Sequence, residues 1–209
     1  ILNAKSWLGR GEPPELRAQL FSAEQMERHG RALAKAHRIR AKSGPDQLLA
    51  RLSDNQKVLD QACTLLTEAV HAGRSLTPAG EWLLDNIYLI EEQIGIARRH
   101  LPKGYSRQLP QLDQGPSAGL PRVYDIALNA ISHGDGRVDA EALSRYVAAY
   151  QTVTPLKLGE LWAVPIMLRL ALLENLRRVV TSITAGRRDR QRARFWVDRM
   201  VEMAASEPA

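Results

Sequence analysis

The five histidines, at 29, 37, 71, 100 and 133, are the first residues that could do chemistry. They are scattered and sit mostly in polar surroundings, and their spacing matches no metal-ligand pattern. No glycine-rich phosphate loop, no G-x-S-x-G and no H-E-x-x-H occurs. The single cysteine, Cys63, excludes a disulfide framework and a cysteine-based zinc site within one chain. No metal ligand and no cofactor is therefore assigned from the sequence.

Two near-motifs dissolve on inspection. Ser132-His133-Gly134-Asp135-Gly136-Arg137-Val138-Asp139 looks like a calcium loop. With Gly136 at the sixth position, the first, third and twelfth ligands fall on Ile131, His133 and Ala142, and only Asp135 supplies oxygen. A turn followed by Asp139 as a helix N-cap is the better reading. Gln191-Arg192-Ala193-Arg194-Phe195 approaches the Q-x-x-R-W signature of processive glycosyltransferases, but Phe195 stands where Trp is needed. No Asp-x-Asp accompanies it, so no catalytic residue is assigned.

Charged residues offer structural roles instead. Asp85, Glu91 and Glu92, with Glu81, crowd one helix. A paired-carboxylate hydrolase needs a second acid across a cleft, and the sequence shows no second-element partner of the right kind except Glu160 and Glu174. Arg169 is the only charge within the apolar run Leu161–Leu173. The expectation is that it is buried and pairs with Asp85, Glu91 or Glu92, because a buried charge needs a partner. Arg28, Arg31, Lys35, Arg38 and Lys42 step by three and four, the spacing of one helix face. A solvated face is the default reading, and contact with an anionic membrane surface or an acidic neighbour is the alternative. Nucleic acid is a poor fit, because no aromatic is interleaved with the stripe.

The elements behind these residues read as helices throughout. The chain has 209 residues, 44% hydrophobic and 5% aromatic, a mixture suited to helix-on-helix packing. Its net charge of +6 is uneven. Residues 28–42 carry six Lys/Arg and no acid, and residues 177–194 carry seven Arg against Asp189. No signal peptide or membrane span is expected, since the longest apolar run, Leu161–Leu173, is too short to cross a bilayer. The chain begins without Met, as a fragment or processed product would. A reducing, cytoplasmic compartment fits the cysteine usage.

The periodicity predicts a helix from the Ser22 cap to about Ala41, one ending at Gly73 with a restart at Ser53, and one from Thr77-Pro78 to Leu101. Others run over about 122–133, Asp139–Thr152, Leu158–Thr184 and 189–205. The expected fold is an all-α multi-helix bundle of six to eight helices. Its divisions are an N-terminal extension (1–21), a first helical half (22–101), a Pro/Gly-rich connection (102–121) and a second helical half (122–209). The connection reads as a hinge.

Several longer blocks carry a resemblance. They are Pro78-Ala-Gly-Glu-Trp-Leu-Leu-Asp-Asn-Ile-Tyr-Leu-Ile-Glu-Glu-Gln-Ile94, Leu101-Pro-Lys-Gly-Tyr105, Arg107-Gln-Leu-Pro-Gln-Leu112, and Pro121-Arg-Val-Tyr124. Tyr150-Gln151, Pro155-Leu-Lys-Leu-Gly-Glu-Leu-Trp-Ala163, Pro165-Ile-Met-Leu-Arg-Leu170 and Glu174-Asn-Leu-Arg-Arg178 complete them. In this order they resemble the amino-terminal region of bacterial cyclic β-1,2-glucan synthases, over about residues 20–180. The resemblance implies a parent that is a large inner-membrane glycosyltransferase using UDP-glucose, with its acidic motifs and spans downstream of this region. It implies that this chain is a non-catalytic helical module on the cytoplasmic side of that membrane. The module would scaffold or regulate the synthase, with the downstream modules of the same polypeptide as partners. Its oligomeric state is left open. Two alternatives stand beside it. One is a glucan- or nucleotide-binding module using Trp82, Tyr88, Tyr105, Arg107, Tyr124 and Trp162. The other is an independent helical nucleic-acid-binding protein. Burial of Trp82 and Trp162 would argue against sugar stacking.

Overall fold

The structure is a computed structural model that describes residues 19–134 and 136–206. It is all-α. The helices are α1 (Ala23–Ala36), α2 (Leu48–His71), α3 (Pro78–Asp85), α4 (Ile87–His100), the single turn α5 (Tyr105–Gln108), α6 (Arg122–His133), α7 (Ala140–Gln151) and α8 (Leu158–Ser206). Among the described residues no strand forms. Two isolated bridges, Ile39 with Leu112 and Gln111 with Pro121, tie the irregular segments together.

Local chemistry explains three of the helix starts. Ser22 and Gln25 form a reciprocal capping box, Ser22 N donating to Gln25 Oε1 at 2.8 Å and Gln25 N to Ser22 Oγ at 3.3 Å. Thr77 caps α3 through Gly80 N, with Pro78 in the first turn. Asp139 caps α7, Ala142 N donating to its Oδ2 at 2.7 Å. Gly73, at φ +65°, turns the chain after α2 in a conformation that glycine adopts without strain.

Four helix boundaries differ from the periodicity. Helix α1 stops at Ala36 rather than about Ala41, because His37 is extended and its ring is held by α6 and α7. Helix α2 runs straight through Ser53 without a restart. The expected 77–101 helix breaks at Asn86, whose Nδ2 donates to Trp82 O at 2.8 Å. The last two expected helices are one continuous helix, α8, which tolerates Pro165 near its start.

Helix α8 organises the body. Its first half packs against α2, α4 and α6, while α1 packs on α7 and α6. The larger core takes Leu48, Leu59, Leu83 and Ile94 from one side of residues 102–121, and Val123, Ile131, Met167 and Leu170 from the other. That connection itself buries Leu109, Leu112 and Leu120. It is therefore a packed part of the body, not a hinge between halves with separate cores. A smaller core joins Ala34 to Ile126, Tyr146 and Tyr150. Helix α1 approaches α7 closely there: a Cβ on Gly30 would stand 2.9 Å from the Tyr146 carbonyl oxygen.

Candidate functional site

Three polar centres lie inside this apolar frame. The first surrounds Glu174 on α8, which is fully buried. Arg51 of α2 grips its carboxylate with two nitrogens, at 2.8 and 3.1 Å, and Asn55 Nδ2 donates at 3.0 Å. Arg177 and Arg178, one turn further along α8, reach the same carboxylate at 3.3 and 3.0 Å. Burial raises the carboxyl pKa, but the charge and hydrogen bonds of Arg51, then Asn55 and Arg177, outweigh it and bring it down to about 2. The Tyr124 hydroxyl beside this centre is pushed up to about 12 by burial and by Glu174, against the pull of Arg51.

The second centre joins α6 to the start of α8. Arg122 is 4% exposed and Glu160 1%. Arg122 Nε and Nη2 donate to the two carboxylate oxygens at 2.6 and 2.7 Å, the bidentate form that guanidinium geometry favours. Arg122 Nη2 also donates to Pro155 O at 2.9 Å, and Lys157 N donates to Glu160 Oε2 at 2.9 Å. Burial alone would lower the guanidinium pKa; the Glu160 carboxylate overrides it and raises it.

The third centre holds the end of α1. His37 Nδ1 lies 2.8 Å from Tyr150 Oη and its Nε2 lies 3.1 Å from Asp125 Oδ2. Asn129 Nδ2 donates to the same Asp125 oxygen at 3.1 Å, and His29 Nε2 meets Asn129 Oδ1 at 2.8 Å. Ser117 Oγ hydrogen-bonds Asp125 Oδ1. A hydroxyl nucleophile needs its proton directed to a base that can then deliver it to a leaving group. Here the Ser117 proton goes to Asp125, and the imidazole bonds to Tyr150 and Asp125 instead. The group locks three helices and has no Ser–His couple. Among the described residues no group of three His, Cys, Asp or Glu side chains is placed to hold a metal ion.

A groove of ≈410 Å³ lies between α4 and the first half of α8, completed by Val138. Leu89, Ile90, Pro165, Leu168, Leu172 and Leu176 make it apolar. Its polar feature is Arg169 Nε donating to Gln93 Oε1 at 3.0 Å. This corrects the expected ion-pair network. Arg169 is half-buried and takes an amide partner from α4, while Asp85, Glu91 and Glu92 are exposed. Among the described residues, no ion pair contains any of those three carboxylates. The reason is phase on the helix: Gln93 lies on the inward side of α4, and the acids point to water.

The basic stripe is also broken. Arg28, Arg31 and Lys35 lie on α1, whereas Arg38 and Lys42 follow its end, so the five do not share one helix face. Arg31 pairs with Glu27 at 3.5 Å, and Glu27 also pairs with Arg145 of α7 at 2.6 Å. Arg38 Nη1 donates to Lys35 O at 2.7 Å, satisfying a carbonyl at the end of α1. The second basic segment lies on α8, and the side chains of 187–191 and 194 are outside the described residues, as is Asp135 of the loop considered above.

The candidate stacking residues stand apart from one another. Trp82 on α3 is 54% exposed and Trp162 on α8 is 78% exposed. Tyr105, half-buried, and Arg107, exposed, are on α5, and Tyr124 is buried in the core. No ring contact joins any pair of these aromatics among the described residues. The buried centres around Glu160 and Glu174 had one signal in the sequence: these are the carboxylates that flank the apolar run of α8. Arg122 and Arg51, their partners 38 and 123 residues away, had none, whereas Arg177 and Arg178 follow Glu174 at helical spacing.

Comparison with known proteins bears out the resemblance. Over 190 residues, 90% of the chain, it is 34% identical to the cyclic β-(1,2)-glucan synthase NdvB of Rhizobium meliloti (strain 1021). The chain spans 7% of the length of that curated relative. No family model matches the chain. No helix of the described residues is long and apolar enough to cross a membrane.

Proposed function

We propose that this chain is a non-catalytic helical module of a cyclic β-1,2-glucan synthase, which positions or regulates the rest of that polypeptide at the cytoplasmic side of the membrane. The observation that carries the reading is the similarity over 90% of the chain to a 7% portion of a synthase. The chemistry of the interior supports it. The buried acids Glu160 and Glu174 accept from arginine and amide donors that hold them in structural ion pairs. A general acid needs a pKa near the working pH, whereas that of Glu174 is driven the other way.

Two measurements test this. The chain incubated with UDP-glucose and Mg²⁺ or Mn²⁺ is expected to give no transfer above hydrolytic background; turnover overturns the non-catalytic part. In the Rhizobium synthase, deletion of the matching stretch is expected to abolish glucan production, and replacement by this chain to restore it. Unchanged production in the deletion overturns the scaffolding part.

A second reading is favoured by the exposure of Trp82, Tyr88 and Trp162, since indole and phenol faces in water are available for stacking on sugar rings. It predicts a change in intrinsic fluorescence on titration with linear β-1,2-glucooligosaccharides, lost in Trp162→Ala. A flat titration removes it.

A further inference from the structure

The α4–α8 groove combines two features that the fold leaves unmatched. One is apolar area open to water: Leu89, Leu172 and Val138 are each about two-fifths exposed. The other is the Arg169 guanidinium. It is half-buried, and its hydrogen bond runs from Nε to the neutral Gln93 amide at 3.0 Å. Its two terminal nitrogens have no acceptor among the described residues. Arg51, Arg122, Arg177 and Arg178, the other arginines of limited exposure, all reach the carboxylate of Glu160 or Glu174. Arg169 has no such acid, because no carboxylate lines the groove. A charge drawn partly out of water favours an opposite charge beside it.

We propose that the groove binds a single-chain alkyl carboxylate, its head on the terminal nitrogens of Arg169 and its chain over Leu172, Leu176 and Val138. With Nε on Gln93, the outer edge of the guanidinium still offers two parallel N–H bonds, which match the two oxygens of one carboxylate. Leu172 and Leu176 lie three and seven residues beyond Arg169, on the same side of α8. From Arg169 to Leu176 the helix rises about 10 Å, the reach of a medium-length alkyl chain. The volume of ≈410 Å³ lies within the range of small-ligand sites. Charge also selects a monomeric ligand over a bilayer. Glu91 and Glu92 are exposed on α4 outside the groove, where they would repel an anionic membrane laid across this face. One carboxylate held inside the groove meets Arg169 alone.

The test is equilibrium dialysis of the full chain against radiolabelled decanoate, below the concentration at which it forms micelles, at neutral pH and physiological salt. One saturable site per chain is expected. Affinity is expected to rise about fourfold per added methylene from octanoate to dodecanoate, the increment for burying one such group. Arg169→Met keeps an aliphatic stem and removes the charge. It is expected to weaken decanoate binding about tenfold or more while leaving binding of the neutral decanol unchanged. Leu172→Glu, at an exposed position, is expected to abolish decanoate binding with unchanged helical circular dichroism. Absence of a saturable site in the wild type overturns the proposal. So does equal affinity for decanoate and decanol, which needs no variant and would mean that the Arg169 head simply extends into water over its own stem. Binding to phosphatidylglycerol vesicles without binding of monomeric decanoate overturns it too, and would give the face to a membrane. Failure here leaves the synthase reading untouched, because that reading is judged on glucan production.

Discussion

The two halves of α8 share one backbone and one apolar period, yet they are held by different physics. In the near half, Ala163, Met167, Leu170 and Ala171 are buried among α2, α4 and α6, and Glu160 and Glu174 are tied to arginines of α6 and α2. In the far half the apolar residues Trp196, Val197, Met200 and Val201 face water. Tertiary packing, rather than intrinsic propensity, supplies most helix stability in proteins. The comparison teaches that an apolar stripe specifies a helix without specifying its cover; the buried ionic anchors mark the half that this chain covers itself.

The comparison breaks most severely at Glu174. Glu174→Ala leaves Arg51, Arg177 and Arg178 around an empty position, and loss of one partner from a buried ion pair costs ~3–5 kcal/mol. Urea denaturation is expected to show a loss of that size, with Glu174→Gln losing less because the amide oxygen still accepts from Asn55.

Acid titration sharpens the same contrast. The Glu174 carboxyl is depressed from the ordinary value of 4.5 to about 2 in the folded protein. A depressed acid adds stability above its unfolded pKa and loses it as pH falls through its folded pKa. The contribution is therefore complete above about pH 5 and declines between pH 4.5 and about pH 2. Thermal melting followed across this window is expected to fall more steeply for the wild type than for Glu174→Gln. Parallel curves would show that Glu174 does not carry the acid sensitivity.

A smaller loss is expected at a surface cap. Asp139→Ala removes the acceptor for Ala142 N at the start of α7 and is expected to lower stability by ~1 kcal/mol in urea. The smallest effect belongs to the far half of α8. At concentrations where the chain is monomeric, Met200→Ala is expected to change unfolding free energy by less than ~0.5 kcal/mol, as for other exposed positions. A loss of ~2 kcal/mol there would mean that this half is packed in the monomer, and the contrast between the halves would collapse.

Local signals were legible in the sequence, and long-range ones were not. The Ser22, Thr77 and Asp139 caps, the stop at Gly73 and the bounds of α6 all follow from near neighbours. The stop of α1 does not: the four-three spacing of basic residues continues past Ala36, but His37 is drawn out of the helix by Tyr150 and Asp125, more than eighty residues away. Residues 102–121 read as a hinge because Pro and Gly exclude helix there. Exclusion of helix does not imply exposure, and Leu109, Leu112 and Leu120 anchor that segment in the core. Arg169 stood out as the lone charge in an apolar run, yet the deeper charges are Glu160 and Glu174 at its edges. Which groups a helix face meets is set by packing, and one sequence does not record it.

The length of α8 also has a mechanical consequence. From Val180, the last buried residue among those described, to Ser206 the helix extends about 39 Å, at 1.5 Å per residue. A rotation of about 10° at the packed end would carry its tip through about 7 Å over that reach. The two ionic anchors near its base, Arg122–Glu160 and Arg51–Glu174, then act as the fulcrum of a lever. Their rigidity decides whether a push on the tip is lost as bending or transmitted to α2 and α6.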